Sequence, residues 1–303
     1  MNRIIILSFL LVLSLKSYSQ QEPATSFFWH TQFLGNPAFT GIDSRHEGNA
    51  VYRNQWDQVN GAPNTLLVNY AARVKKLHGG AGVSYIHDAI GFNRQHQVLA
   101  HYAFHQKLVE KYVLSAGVSL GWMRTYINPN WVTPTTAVDP LLPGNSHEDY
   151  FQLNAGVAFT AENWRVGFGA TQLNSRNRTS TGAYNPVIHS RLFGEYRFPL
   201  SERLKLIPRV QFITDFVKYS DSWALCLHSN KLWGGISYSG VFGSNYLGAM
   251  IGYDFKEKFR LGYTYEYSIH KLSQVSQGTH EIVLSFSLDG FQQKPVVLQE
   301  EEE

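Results

Sequence analysis

The sequence predicts an all-β protein that forms a single transmembrane antiparallel β-barrel of about 14 strands, with its N-terminal segment in or near the lumen. Three observations favour this fold class. Apolar and polar residues alternate with a period of two along most of the chain, as in strands whose two faces meet different surroundings. The alternating segments have about nine to twelve residues, the length of a tilted strand that crosses a bilayer. Along the chain, every second connection between predicted strands is short, and the longest connections fall among the rest. Barrels with short periplasmic turns show this alternation.

The first element is typical of a signal peptide. Arg3 precedes the apolar run Ile4–Leu15, and the small residues Ser17 and Ser19 follow it. We expect cleavage near residue 19, so that residues 1–19 form the leader; an N-terminal anchor helix is the alternative. Because Cys226 is the one cysteine, the exported chain must gain its stability from a large core or a membrane rather than from an internal disulfide.

The second element, residues 20–48, precedes the first strand and is rich in aromatic rings. Such an apolar segment is unfavourable in the periplasmic solvent. The stretch NPAFTG within it has a turn pair at each end, Asn36-Pro37 and Thr40-Gly41. We therefore expect a compact segment in the barrel lumen or against its periplasmic mouth, with an ordinary first hairpin as the alternative. Its candidate contact residues are Asn36, Pro37, Phe39 and Gly41.

The third element, residues 49–289, is the barrel itself. A clear example of alternation is Phe151–Phe159, in which Gln152 and Asn154 lie on the opposite face. A closed cylinder of such strands satisfies every backbone polar group in lipid, whereas an open sheet edge does not. A barrel of about 14 strands also encloses more space than its own side chains fill easily, so a plug, inward loops or water must occupy it. The strand centres are expected near Tyr52, Tyr70, Val83, Ala100, Val118, Ala155, Gly167, Phe193, Val210, Leu225, Ser237, Met250, Tyr263 and Leu284.

The connections predict which mouth of the barrel faces the cell surface. If the first strand runs outward, the short connections fall on the periplasmic side and the longest ones, Thr125–Asp149 and Asn174–Asn185, fall outside. The first of these contains several prolines, which interrupt helices and strand ladders. The fourth element, residues 290–303, contains Glu300–Glu303 and is expected to be a solvated acidic tail on the periplasmic side.

Two charged residues are candidates for inward positions in the barrel. Arg53 in YRNQW and Glu266 in GYTYEYS both alternate away from aromatic residues on the lipid face. Because a lone buried charge is costly, each is expected to pair inside the barrel, where it would fix the N-terminal segment. The alternative is ordinary hydrated polarity of the lumen.

The sequence offers no pattern for catalysis, metal binding or nucleic-acid binding. A net charge of +3 without a basic, aromatic-interleaved run argues against nucleic acid. His101 and His105 share a strand face but lie roughly 13 Å apart, too far for one metal ion. Gly-x-Ser-x-Gly occurs once, at Gly117–Gly121, but inside an alternating strand pattern rather than at the strand-to-helix turn that a nucleophile elbow needs, and no His-Glu-x-x-His motif occurs. We therefore expect no cofactor and no enzymatic activity; a barrel-embedded hydrolase is the weak alternative.

Several stretches together resemble one family. They are NPAFTG, YRNQW followed by GAPNT, GAGVSYIHDAIGFN, and FRLGYTYEYSIHKLSQVSQGTHEIVLSF. These stretches resemble the PorP/SprF family, outer-membrane proteins of the type IX secretion system and gliding machinery of Bacteroidetes. The resemblance extends from about Gln21 to Leu288 and is most specific at the two ends.

The resemblance implies an outer-membrane barrel that helps secrete or anchor a surface protein such as an adhesin, by binding rather than catalysis. The implied partners are outer-membrane lipid, an adhesin-type cargo and periplasmic or outer-membrane secretion components. Both a core component and a partner dedicated to one cargo fit the family, and no active site is transferred from it. An outer-membrane channel or transporter for small or hydrophobic solutes is the alternative function.

Overall fold

The computed structural model describes residues 24–109, 111–127, 144–175, 186–241 and 244–291. The strands of the described chain form one antiparallel sheet. They are β1 (His46–Asn54), β2 (Asn64–Val74), β3 (Gly79–Ile90), β4 (Asn93–Val109), β5 (Tyr112–Ile127), β6 (Ser146–Ala161), β7 (Trp164–Thr171), β8 (His189–Tyr196), β9 (Phe198–Pro199), β10 (Lys205–Thr214), β11 (Tyr219–His228), β12 (Leu232–Val241), β13 (Ser244–Phe255), β14 (Phe259–Ser268) and β15 (Thr279–Ser287).

The sheet closes on itself, which confirms the predicted fold class. β1 pairs with β15 on one side, from Glu47 opposite Ser287 to Asn54 opposite His280, and with β2 on the other. β8 and the short β9 both pair with β10 and act as one interrupted strand, so the barrel has 14 strands. Each predicted strand centre lies within a separate strand. Closure gives the first and last strands a partner on both edges, as lipid requires.

Strand pairing continues further into the first predicted long loop than the sequence analysis expected. β5 runs to Ile127 and β6 begins at Ser146, so both ends of Thr125–Asp149 are strand rather than loop. Register is kept to Ile127 opposite Ser146. The prolines of this predicted loop all lie in the intervening part, between Ile127 and Ser146. Residues 128–143 and most of the second predicted loop, 176–185, lie outside the described residues.

The outer surface of the barrel is apolar, and the alternating pattern determines which side chains reach it. In β5, Leu114, Val118 and Trp122 point outward and are about half exposed, whereas Ser115 and Ser119 between them are buried inside. An outward apolar band around an inward polar surface is the arrangement of outer-membrane barrels. Among the described residues, no helix is long and apolar enough to cross a membrane.

The two mouths of the barrel differ in their connections. At one mouth the described connections are short, for example 75–78, 162–163, 229–231 and 256–258. The other mouth has longer connections at 55–63 and 269–278, although 91–92 and 215–218 are also short. Because short turns mark the periplasmic side, the first mouth is periplasmic and β1 runs outward from it.

The N-terminal residues do not form a hairpin with the barrel. Residues 24–45, here called the luminal segment, fold into three short turns of helix: Phe28–His30, Gln32–Gly35 and Pro37–Phe39. Their rings pack with inward residues of the wall such as Phe193 and Trp233, and this contact is the hydrophobic core of the protein. The core therefore lies inside the barrel, between the luminal segment and the wall.

Candidate functional site

The luminal segment runs along the inside of the barrel from its outer half to its periplasmic mouth. Ser26 lies beside Arg53, Glu266 and Glu281, which are near the outer ends of β1, β14 and β15. Arg45, at the other end of the segment, lies at the periplasmic mouth, where β1 begins. A chain of side chains from different strands therefore holds the segment along its whole length.

The outer end of the segment is held by three buried charges, here called the outer charge cluster: Arg53, Glu266 and Glu281. The Arg53 guanidinium bridges both carboxylates, with Nη2 2.6 Å from Glu266 and Nη1 2.7 Å from Glu281. The two carboxylates also accept hydrogen bonds from the segment: the backbone N–H groups of Ser26 and Phe27 donate to Glu281 at 2.9 Å. The Ser26 hydroxyl donates to Glu266 at 2.6 Å.

The outer charge cluster excludes water almost completely. The exposed fractions of its side chains are 7% for Arg53, 1% for Glu266 and 0% for Glu281. Two carboxylates against one guanidinium leave one negative charge, and the two backbone N–H groups of the segment point at it. A buried ion pair is tolerated only when further hydrogen bonds satisfy the remaining lone pairs. The luminal segment therefore supplies hydrogen bonds that take the place of water around the charges of this cluster.

The middle of the segment is the NPAFTG bend. The Asn36 Oδ1 accepts a hydrogen bond from the Ala38 N–H at 3.1 Å, which caps the helical turn beginning at Pro37. The Asn36 Nδ2 donates to the Val157 carbonyl of β6 at 3.0 Å and so ties the bend to the wall. At Gly117 in β5, any Cβ atom would overlap the backbone of Pro37 and Ala38.

The end of the bend also depends on close approach to the wall. The Phe39 ring packs edge-on against Phe193 with 5.6 Å between ring centroids, and it lies over Gly167. Gly41 has a φ of +68°, which favours glycine, and a Cβ there would lie 2.8 Å from the Gly80 Cα and the Ala72 oxygen. The bend therefore fits the wall only where both sides carry small residues.

A second group of charges, the inner charge cluster, lies in the periplasmic half of the lumen around Glu195. The Glu195 carboxylate is approached by Arg209 at 2.6 Å, Arg197 at 2.9 Å and Arg165 at 3.3 Å. Arg165 also pairs with Asp43 of the luminal segment at 2.8 Å. One carboxylate faces three guanidiniums here, so the local charge is positive.

The inner charge cluster borders a cavity that extends to the periplasmic mouth. The Arg209 guanidinium lies over the Trp29 ring at 4.3 Å, and the Arg260 guanidinium lies over the Phe291 ring at 4.3 Å. His30 of the luminal segment also borders the cavity.

The periplasmic end of the segment is fixed by a pair at the surface. Arg45 pairs with Asp289, with Nη2 2.7 Å from Oδ1, and the Arg45 N–H also donates to this carboxylate. Partial burial raises the pKa of Asp289, but the hydrogen bonds from Arg45 and Ser44 outweigh it and leave the pKa below its usual value. The segment and the end of β15 are thereby joined at the mouth.

A smaller cavity lies in the outer half, above the luminal segment. Thr25, Phe28 and Thr31 of the segment form one side of it. The opposite side consists mainly of uncharged polar side chains from the wall, which are Gln95, Gln97, Asn154, Thr171, Gln172 and Gln211. A surface of amides and hydroxyls offers both donors and acceptors and suits hydrogen bonding to a polypeptide.

Comparison with known proteins identifies the family. The family model described as type IX secretion system membrane protein PorP/SprF matches residues 17–286. The chain belongs to the PorP/SprF family. This confirms the resemblance seen in the sequence motifs and makes the chain a membrane component of the type IX secretion system. No curated protein matches this PorP/SprF chain.

Solved structures similar to this PorP/SprF protein share its fold. The toluene transporter TbuX of Ralstonia pickettii superposes with a TM-score of 0.53 at 11% identity, over 84% of this chain and 92% of that one. The outer membrane protein Omp33 of Acinetobacter baumannii gives a TM-score of 0.48 at 10% identity, over 82% of this chain and all of that one. At such identities the likeness concerns the fold alone. The closed barrel and the family together place the PorP/SprF protein in the outer membrane.

The residues singled out from the PorP/SprF sequence lie together in the lumen. Asn36, Pro37, Phe39 and Gly41 are buried against the wall, and Arg53 and Glu266 meet in the outer charge cluster. His101 and His105 are instead bonded to wall hydroxyls, His101 to Ser84 and Ser119 and His105 to Ser115. No group of three or more potential metal-ligating side chains occurs within the described part of the chain.

Sequence reasoning missed the other members of both charge clusters. None of Glu281, Glu195, Arg165 and Arg209 is singled out in the sequence analysis. A signal was present for the last three, because each of them lies between apolar or small neighbours in an alternating segment. The alternation does not predict the strand pairing that brings Glu195 opposite Arg209 and Arg165.

Proposed function

We propose that this PorP/SprF protein is a closed docking barrel that helps secrete or anchor a surface protein such as an adhesin by binding rather than catalysis. The observation that carries the proposal is the filled lumen: a segment of the chain itself occupies the barrel and is bonded at both ends. A barrel built to pass solutes has no use for such a segment unless it moves. A barrel built to bind other proteins gains rigidity from it, which lowers the entropy lost on binding.

The two mouths suit different partners. We assign the cargo to the outer mouth, on the side of the cavity lined by amides, and to the predicted loops Thr125–Asp149 and Asn174–Asn185. The central parts of both loops lie outside the described residues. We assign the periplasmic secretion components to the inner mouth. On this proposal residues 1–19 are removed on export, residues 20–48 act as the plug, and residues 290–303 extend into the periplasm as an acidic tail.

A channel for small or hydrophobic solutes is the competing function. Its support is the shared fold with a toluene transporter, which does not decide between the two. The competing functions differ in what the lumen does. A docking barrel keeps the luminal segment in place and conducts nothing, whereas a channel must open a path past it.

The deciding experiment combines conductance with the fate of the cargo. Purified protein in planar bilayers should show no steady current, and its deletion from cells should release a surface protein into the medium. Affinity purification of the tagged barrel should recover that protein together with secretion components. As a matched control, the Val118→Leu variant, a conservative change on the lipid face of β5 away from both mouths, should behave as wild type. Steady solute passage by the wild-type barrel together with normal retention of surface proteins in the deletion strain would favour the channel.

A further inference from the structure

The cavity in the periplasmic half of the lumen contains buried donors that no described residue satisfies. Arg209 is 94% buried, and its Nε is used by Glu195, but its Nη1 has no hydrogen-bond partner among the described residues. The Cys226 thiol lies close to this guanidinium, but sulfur is a weak acceptor. The indole Nε1 of Trp29, on which the guanidinium stacks, is also buried without a partner in the described structure.

Leaving such donors unbonded is costly, so each one in a native structure calls for an occupant. Trp Nε1 and Arg Nη1 only donate, and therefore what they lack is an acceptor. The charged side chains around the cavity indicate the charge that the missing acceptor should carry. Five basic side chains, Arg165, Arg197, Lys205, Arg209 and Arg260, face the carboxylates of Asp43, Glu47, Glu195 and Asp254, which leaves one positive charge unmatched.

The shape of the cavity gives the direction of access. Its lining includes Glu47, Lys205, Ser287, Gly290 and Phe291, all at the periplasmic mouth. Phe33, Phe39 and Phe286 form apolar walls beside the charged groups. A free inorganic ion would leave those walls without contact, whereas a peptide carboxylate carried on an aliphatic side chain would use both.

We propose that this cavity is a binding site for the carboxylate of an acidic peptide segment that enters from the periplasmic mouth and is bound by Arg209 Nη1 and Trp29 Nε1. The guanidinium, already stacked on the indole, presents one N–H to the carboxylate while Glu195 keeps the other side of the group in place. This site is separate from cargo docking at the outer mouth and does not depend on the proposed function.

Two sources of the carboxylate share this chemistry. One is the run Glu300–Glu303 of this chain, which follows Phe291 by nine positions. Nine extended residues reach about 30 Å, enough to turn back into the cavity that Phe291 borders. The other is an acidic segment of a periplasmic protein. In the first case the tail would compete with any partner for the same donors.

The test is calorimetric titration of the full-length barrel in detergent with acetylated tetraglutamate amide, with tetraglutamine amide as the control peptide. We expect Arg209→Gln to weaken tetraglutamate binding about tenfold or more, because a hydrogen bond to a charged group is lost. Trp29→Phe keeps an aromatic ring beneath the guanidinium but removes the indole N–H, and it should weaken binding several-fold. Arg124→Gln, at an exposed pair with Asp149, is the matched control and should bind as wild type. In Arg209→Gln, Glu195 keeps Arg165 and Arg197, so the barrel is expected to fold, as gel mobility with and without heating would show.

A full-length variant with Glu300→Gln, Glu301→Gln, Glu302→Gln and Glu303→Gln distinguishes the sources. If the tail is the occupant, this variant binds the peptide about tenfold more tightly than wild type, since the internal competitor is lost. If a separate protein supplies the carboxylate, variant and wild type bind equally. The proposal is overturned if neither protein binds tetraglutamate, if inorganic phosphate binds and the peptide does not, or if Arg209→Gln and Trp29→Phe both bind as wild type. Should Arg209→Gln not fold, Trp29→Phe alone decides.

Discussion

Replacement of Arg53 by methionine removes the one cation of the outer charge cluster and keeps most of its volume. It leaves Glu266 and Glu281 buried in the lumen with exposed fractions of 1% and 0%. Removal of one partner from a buried ion pair costs about 3–5 kcal/mol, because the remaining charge is uncompensated.

The structure indicates how this cost divides between the two carboxylates. Glu281 keeps the N–H groups of Ser26 and Phe27, whereas Glu266 keeps only the Ser26 hydroxyl. The penalty therefore falls mainly on Glu266. We expect Arg53→Met to lower the free energy of unfolding by about 3–5 kcal/mol, and addition of Glu266→Gln to recover a large part of it, because one charge fewer is left unpaired.

The assay is denaturant unfolding of the barrel in detergent micelles, followed by tryptophan fluorescence, together with planar-bilayer conductance. Arg124→Met is the matched control, because Arg124 also pairs with a carboxylate but at an exposed position, where loss of the pair costs at most about 1 kcal/mol. Conductance should appear in Arg53→Met if the luminal segment loses its outer attachment. Equal stability of Arg53→Met and Arg124→Met would refute the reasoning, as would a double variant less stable than Arg53→Met alone.

Three further substitutions test the bend and the membrane face. Gly117→Ala places a Cβ against the backbone of Pro37, so we expect a loss of about 1–3 kcal/mol in unfolding free energy and an increase in bilayer conductance. The control is Gly144→Ala, where nothing lies within 4 Å of the added atom, and it should change neither quantity. Asn36→Ala loses both the helical cap and the bond to the wall, and we expect a loss of about 1–3 kcal/mol in the same unfolding assay, with an unchanged value counting against the assigned bonds. Val118→Arg puts a charge on the lipid face of β5 and should lower the free energy of unfolding in lipid vesicles by about 2–4 kcal/mol. The loss should be smaller for Tyr112→Arg, which lies near the periplasmic end of the same strand. Equal losses would contradict the membrane placement.

The sequence predicts the wall of the barrel better than its contents. Strands such as β5 and β6 are specified locally, because each side chain alternates between lipid and lumen and the period is read directly from neighbouring residues. The same alternation places Arg53 and Glu266 on the inner face. The end of β5 was predicted as loop because Tyr126 and Ile127 adjoin a proline-rich stretch. Only their pairing with His147 and Ser146 extends the strand.

The contacts inside the barrel depend on pairing between residues far apart in sequence. Arg53 meets Glu281 because β1 and β15 close the barrel in one register, and a shift of one residue would move Glu281 to the lipid face. Likewise, Gly117 shows no local reason to be glycine in a strand. Its reason is the backbone of Pro37, which lies on it only after the luminal segment has entered the barrel.

One end of the luminal segment lies in the outer half of the barrel and the other at the periplasmic mouth, and this arrangement constrains how the lumen can open. The segment is covalently continuous with β1 at the periplasmic mouth and is joined there to Asp289 through Arg45. Its other end is held at the outer charge cluster by groups that carry buried charge. Withdrawal of the segment toward the periplasm would first have to remove Ser26 and Phe27 from Glu281, leaving a negative charge without its donors. A partner at the outer mouth that supplies replacement donors to Glu266 and Glu281 would lower that cost, whereas a partner at the periplasmic mouth would act only on the exposed Arg45 pair. Coupling between partner binding and the lumen should therefore come mainly from the outer side.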